Sequence, residues 1–329
     1  GIFIRHEEKL ERAVLAIGDG DARLPDSGVA VRIALPHLDA DAWRETLAGM
    51  DTGGAAGVKA PVLAMLSLKT PSLRFLGRDF TQVEAELRPR DAGWQIALNM
   101  QEAAGDLLWR QAGEGSLEGR LRRLVLLPAA ESSGANPTLI NSLPALNITV
   151  DDFRIGERLL GRLELRARNE NGAWQMENLG ITNPDGSLKG KALWVNTAGR
   201  NHTRLDFELR ASDVGKLLTR LGYVDAVRRG TATLAGDMRW DGPRTVIHYP
   251  SLTGQMTVNA ESGQFNRLEP GVGRLLGLIS LQSLPRRLTL DFRDIFSEGL
   301  AFDSIAGRTV VTSGVMRTVE PLRINSPAA

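Results

Sequence analysis

Four histidines, two glycine-rich runs and a few carboxylate pairs are the residues of this chain whose types could do chemistry. His6, His37, His202 and His248 could act as general bases or metal ligands if partners sat at spacings such as HExxH or HxH, which bring donors to one face. None has that spacing, and none has a carboxylate three or four residues on along a credible helix. They read as scattered surface or strand-edge side chains. Gly53-Gly54-Ala55-Ala56-Gly57 follows no apolar strand and lacks the lysine and hydroxyl of a phosphate-binding loop, so it reads as a flexible loop. Gly271-Val272-Gly273 lacks the third glycine of a dinucleotide fingerprint. The pairs Glu7-Glu8 and Asp151-Asp152 are adjacent rather than converging, as solvated turns or faces are, and not as a general acid/base pair is. Asp291 and Asp294 flank an apolar strand and could pair with Arg286, Arg287 or Arg293, a structural role rather than a catalytic one. There is no GxSxG elbow, and the absence of cysteine removes thiolate nucleophiles, zinc-thiolate sites and disulfides. The catalytic set is empty, no metal or cofactor is expected, and the chain reads as a non-enzyme.

The elements that would position any site are set by composition and periodicity. Of 329 residues, 42% are apolar and 24% charged, the proportions of a folded protein. The net charge of +1 and an aromatic content of 5% offer neither electrostatic pull nor stacking platform for nucleic acid, which is excluded as a partner. No run of apolar residues reaches the roughly 18 that a membrane-spanning helix needs. Ile2 and Ile4 already alternate at the start, so the chain is expected to be a piece of something longer.

Period-two alternation dominates. Val29 to Leu35, Thr81 to Arg88, Trp94 to Gln101, Leu146 to Asp151, Arg162 to Arg168 and Arg204 to Arg210 each present one apolar and one polar face, as antiparallel strands with one solvated side do. Turn residues separate them: Arg90-Asp91-Ala92-Gly93, Asn169-Glu170-Asn171-Gly172, Asn183-Pro184-Asp185-Gly186 and Asp241-Gly242-Pro243. Asn-Gly and Asp-Gly supply the positive backbone angles of tight hairpins, so a meander of sequential antiparallel strands is expected. Three helices interrupt it. One carries Trp43, Leu47 and Met50; a second has Val214, Leu217, Leu218 and Leu221, with Ser212 as N-cap and Gly222 as stop. A third starts near Pro270, and its Val272, Leu275, Leu276 and Ile279 form a stripe, with Leu278 and Leu281 opposite. A helix apolar all round is buried on several sides or touches something apolar.

An internal repeat runs through the middle. Val83 to Arg88, Gly93-Trp94-Gln95-Ile96 and Gly115 to Arg120 correspond to Leu163 to Arg168, Ala173-Trp174-Gln175-Met176 and Gly186 to Lys191. Such self-similarity suggests a sheet extended by adding units. The segment Pro128 to Pro144 reads as the linker between copies. Two domains are expected: 1–145, β-rich with one short helix, and 146–329, with helices near 213–221 and 271–283.

Two stretches, GRLLGLISLQSLPRRLTLDFRD from Gly273 to Asp294 and FSEGLAFDSI from Phe296 to Ile305, resemble the C-terminal region of the AsmA-like family, in its YhdP branch. Leu205-Asp206-Phe207, leading to Leu217 through Tyr223, belongs to the same resemblance. Asp152 to Trp194 and Thr231 to Gln264 are similar with less specificity, and residues before about Asn147 are similar only in pattern. The resemblance implies a mainly β fold: a long twisted antiparallel sheet curled into an open apolar groove, with a few short helices. It implies a protein anchored in the inner membrane of a Gram-negative envelope, reaching across the periplasm and passing phospholipid toward the outer membrane. This chain would then be a soluble periplasmic fragment.

A sheet with one apolar and one charged face must bury the former. A sandwich does so against a second sheet, a groove against lipid tails. Under the resemblance, the acyl-contacting residues would be Ile148, Val150, Leu163, Leu165, Trp174, Met176, Leu205, Phe207, Leu209, Leu288, Leu290 and Phe292. The helix Gly271–Ser283, through Val272, Leu275, Leu276 and Ile279, would cap the groove. Partners would be phospholipid and envelope components of the two membranes; the sequence sets no oligomeric state. The alternative is a periplasmic scaffold that binds an envelope partner by strand addition at a sheet edge.

Overall fold

A computed structural model describes residues 1–6, 9–19, 22–43, 62–75, 77–91, 93–126, 143–170, 173–197, 200–242, 247–266, 300–319 and 321–326. These residues form nineteen strands with little helix and divide into two compact units, Gly1–Gly156 and Glu157–Ala329. The expected mainly β, mostly antiparallel architecture is observed. The third helix, Gly271–Ser283, lies outside the described residues. So do Val272, Leu275, Leu276, Ile279, Leu288, Leu290 and Phe292, the loop Gly53 to Gly57, and Leu47 and Met50 of the first helix.

The first unit holds β1 (Ile2–His6), β2 (Lys9–Gly18), β3 (Gly28–Ala34), β4 (Leu38–Asp39) and β5 (Leu63–Phe75). It continues with β6 (Arg78–Arg90), β7 (Gly93–Asn99), β8 (Ala103–Arg110), β9 (Ser116–Leu126) and β10 (Ala145–Ile155). From β5 to β9 the strands pair antiparallel in chain order, as hairpin turns require. The expectation of antiparallel neighbours throughout is corrected at four places: β2 with β3, β3 with β5, β4 with β5 and β9 with β10 run parallel. Parallel neighbours cannot be joined by a two-residue turn, and the connections 19–27, 35–62 and 127–144 are the long ones. Of the first expected helix, the described residues 40–43 are helical; they follow β4, with Asp39 Oδ1 accepting the Ala42 N–H at 2.9 Å.

The second unit holds β11 (Arg158–Glu170), β12 (Ala173–Asn183), β13 (Gly186–Thr197), β14 (Arg200–Ala211) and β15 (Val227–Asp241). Then come β16 (Thr253–Phe265), β17 (Leu300–Thr312), β18 (Val315–Thr318) and β19 (Arg323–Asn325). Strands β11 to β17 pair antiparallel with their chain neighbours, and β18 and β19 both pair with β17. Between β14 and β15 lies α1 (Val214–Arg220). Its N-cap is Asp213 rather than Ser212: the Asp213 carboxylate accepts the Lys216 N–H at 3.0 Å, while the Ser212 hydroxyl donates to the Pro184 carbonyl. Gly222 ends the helix at φ +92°, the left-handed conformation that glycine adopts without strain. Leu217 is buried, and α1 lies against β15 and the start of β11. Arg220 fixes it there, its Nε and Nη2 donating to Asp185 Oδ2 at 2.9 and 2.6 Å.

The internal repeat is visible in the first hairpin of each copy. β6 and β7 correspond to β11 and β12, with Trp94 and Trp174 in matching places next to the turn. The third element does not match as aligned by sequence, because Gly115 to Arg120 begins β9, one strand further on. The pairing partners Trp109 and Trp194 make β8 the counterpart of β13.

Candidate functional site

Register decides which side chains share a face, because opposite residues on neighbouring strands point the same way. In the second unit, one rung runs Leu163, Ile181, Leu188, Leu209, Leu234, Val258 and Gly307 across seven strands. The next runs Leu165, Leu179, Gly190, Phe207, Gly236, Met256 and Thr309, and a third Ala167, Met176, Ala192, Leu205, Met238, Gly254 and Val311. The structure therefore brings seven of the sequence-nominated residues, Leu163, Leu165, Trp174, Met176, Leu205, Phe207 and Leu209, onto one apolar face. Ile148 and Val150 lie on the corresponding face of the first unit. There β10 continues rungs that include Leu87, Ile96, Leu107 and Gly119, and Ala85, Leu98, Gly105 and Leu121.

Sequence reasoning missed Leu179, Ile181, Leu188, Leu234, Met256 and Val258. Leu179 and Ile181 fall out of step with Met176 because β12 carries one extra residue between Met176 and Leu179; this bulge restores them to the apolar face. Met256-Thr257-Val258-Asn259-Ala260 alternates plainly, and that signal was there to be found.

The apolar faces are only partly covered. In β7, Trp94, Ile96 and Leu98 are half-buried while Gln95, Ala97 and Asn99 are exposed. In β16, Met256, Val258 and Ala260 alternate in the same way with exposed neighbours. A face pressed against a second sheet buries such residues almost completely. Among the nominated residues, Ile148, Val150, Leu163 and Trp174 are buried, whereas Leu165, Met176, Leu205, Phe207 and Leu209 are half-buried.

The opposite face of the second unit is a ladder of charges. Lys189 faces Glu208 and Lys191 faces Asp206 across β13 and β14, and Arg204 bridges Asp206 at 3.3 Å and Asp237 at 2.5 Å. Burial acts to raise the Asp237 carboxyl, but the hydrogen bond with Asp206 and the charges of Arg204 and Arg239 outweigh it and hold it below the usual carboxylate range. Two open depressions of about 540 Å³ lie on this polar face. One is lined by Lys189, Lys191 and Arg308 against Asp206, Glu208 and Asp237, so its charges balance and favour neither sign of ligand.

Three histidines find partners that sequence spacing hid. His202 Nδ1 lies 2.9 Å from Asp241 Oδ1, opposite it across β14 and β15; His248 Nδ1 lies 2.8 Å from Ser251 Oγ and His37 Nδ1 3.1 Å from Ser72 Oγ. They do not assemble a relay. Ser251 Oγ accepts the Asp241 backbone N–H and bonds His248, not His202, and the His202–Asp241 pair is exposed on both sides. Among the described residues no group of three His, Cys, Asp or Glu side chains could hold a metal ion.

The family model described as "YhdP protein" matches residues 3–329. The chain belongs to the YhdP family. A curated relative, the "Intermembrane phospholipid transporter YhdP" of Escherichia coli (strain K12), is 31% identical over 130 residues, which is 39% of this chain and 10% of the relative. The chain thus aligns with about a tenth of that YhdP protein's length. No solved structure matches. The named role of that relative is intermembrane phospholipid transport. Among the described residues no helix is long and apolar enough to cross a membrane.

Proposed function

We propose that the chain forms part of a non-enzymatic path for phospholipid between the inner and outer membranes, working in the periplasm, with acyl chains shielded by the apolar faces of its sheets. The observation that supports this most is the set of apolar rungs crossing seven consecutive strands, in which Leu165, Met176, Leu205, Phe207, Leu209, Met256 and Val258 stay half-buried where a second layer would have covered them. Each methylene taken from water onto such a face is worth roughly 0.8 kcal/mol, so a two-chain lipid is held without a polar constellation. Such binding is also degenerate along the rungs, since one rung resembles the next, and a lipid can move sideways between near-equal positions. Among the described candidates, Leu165, Met176, Leu205, Phe207 and Leu209 have surface free for an acyl chain. Ile148, Val150, Leu163 and Trp174 underlie it.

Native mass spectrometry of protein purified without detergent tests the proposal. Phospholipid should co-purify with the wild-type chain and be lost from Leu165→Asp and Phe207→Asp variants that keep the wild-type circular dichroism. A lipid-free wild-type protein would refute the reading and favour a scaffold that pairs through a sheet edge.

A further inference from the structure

Five of the six tryptophans of the chain sit at one margin of the apolar faces, and they do so in both units. In the first, Trp94 pairs with Trp109 one rung from the β6–β7 turn. In the second, Trp174 pairs with Trp194, and the same rung continues through Thr203 to Trp240. Beyond these rungs the margin turns more polar: Arg90 and Arg110 flank Gly93 in the first unit, and in the second the next rung runs Glu170, Ala173, Val195, His202 and Asp241.

The opposite margin has another character. In the first unit it is closed by Leu38, Leu73 and Val83, with Phe80 and Met100 against them. In the second it is lined by Ala211, Ala232, Ala260 and Ile305 and carries α1 with its buried Leu217. Each sheet therefore grades along its strands from polar, through tryptophan, to an apolar margin without tryptophan.

That gradient matches one occupant. Indole is an apolar body with a single N–H donor, and it favours the level where hydrocarbon gives way to polar groups. The Trp240 indole packs in a buried cluster with Met238 and Val311, so the tryptophan rung is continuous with the apolar surface beside it. From the Thr203 rung to Leu209 the strand advances six residues, about 20 Å at roughly 3.4 Å each. One leaflet of hydrocarbon is about 15 Å deep, so an acyl chain fits between the tryptophan rung and the aliphatic end.

We infer that the tryptophan rungs mark the glycerol-ester level of bound phospholipid, with acyl chains running along the strands toward the α1 end and headgroups at the polar margin. This rests on the proposed lipid path and adds orientation to it. The test uses the full chain carrying Trp43→Phe, so that indole emission comes only from the rung tryptophans, loaded with phosphatidylethanolamine brominated either next to the ester or near the methyl terminus. Ester-end bromine should quench the emission more strongly than methyl-end bromine, with occupancy of both samples measured by native mass spectrometry. Lipid bound at equal occupancy with equal or stronger methyl-end quenching overturns the orientation and leaves the lipid path standing. Failure of both lipids to bind overturns the two together.

Discussion

Replacing Arg220 with methionine should loosen α1 far more than loss of a surface ion pair would. The Arg220 and Asp185 side chains retain only 23% and 10% of their exposure, so neither charge has much water to fall back on. Two guanidinium nitrogens reach one carboxylate oxygen, and Nη1 also reaches the Leu159 carbonyl at 3.3 Å. The Asp185 carbonyl meanwhile accepts the N–H groups of Ser212 and Asp213, so a single turn holds both ends of the helix. Removing one partner of a buried pair costs about 3 kcal/mol because the other charge is left uncompensated; an exposed pair costs under about 1 kcal/mol. Asp185→Asn should cost less, about 1 kcal/mol, because the longer arginine can turn toward water. Hydrogen exchange of the α1 amides reads this locally. R220M should lower their protection by on the order of a hundredfold, tenfold corresponding to about 1.4 kcal/mol, and D185N by less than tenfold. An R220M effect below tenfold, or a D185N effect exceeding it, would refute the reasoning.

Other expectations follow from single contacts. Asp213→Ala should destabilise α1 by about 1 kcal/mol through loss of its cap, seen as faster exchange at Lys216. The Lys216 backbone hydrogen bond holds the Asp213 carboxyl below its ordinary value of 3.8. Its contribution is therefore present above that pH and is lost as pH falls through the lower folded value; Asp213→Asn should abolish this dependence while keeping the cap. Gly236→Ala would place a methyl 2.8 Å from Phe207 Cε1 and 3.0 Å from the Gln255 carbonyl oxygen, costing about 1–3 kcal/mol by overpacking. Thermal melting should show that loss partly recovered by adding Phe207→Leu. Retained phospholipid should not change when salt is raised from about 0.1 to about 1 M, a range that collapses charge interactions, as native mass spectrometry can check.

The alternation of Arg162 to Arg168 and Arg204 to Arg210 made β11 and β14 legible in the sequence, because a two-residue period has no other folded reading. The turn at Asn183-Pro184-Asp185-Gly186 was equally plain. The parallel neighbours were not legible: the length of the 35–62 connection excludes a hairpin, but not which strand the chain returns to. At the helix cap, Ser212 and Asp213 are both good N-cap residue types, and only tertiary contact with Pro184 sends the serine elsewhere. The candidate face was legible wherever alternation was unbroken and was lost after Met176, where one bulged residue changed the phase. His202 and Asp241, far apart in sequence, meet only because the β14–β15 register puts them opposite.

The bulge in β12 has an evolutionary corollary. A single codon inserted into any strand would turn every later side chain of that strand to the wrong face, and β12 survives its extra residue only by absorbing it as a local distortion. Inserting a whole hairpin leaves the faces of both neighbours untouched. Selection would therefore reject small insertions within strands and tolerate duplication of two-strand modules, each adding about 10 Å of sheet. The length of such a sheet becomes a heritable trait that changes in hairpin steps, and the β6–β7 and β11–β12 pair, still sharing their tryptophan, has the form such a step would leave.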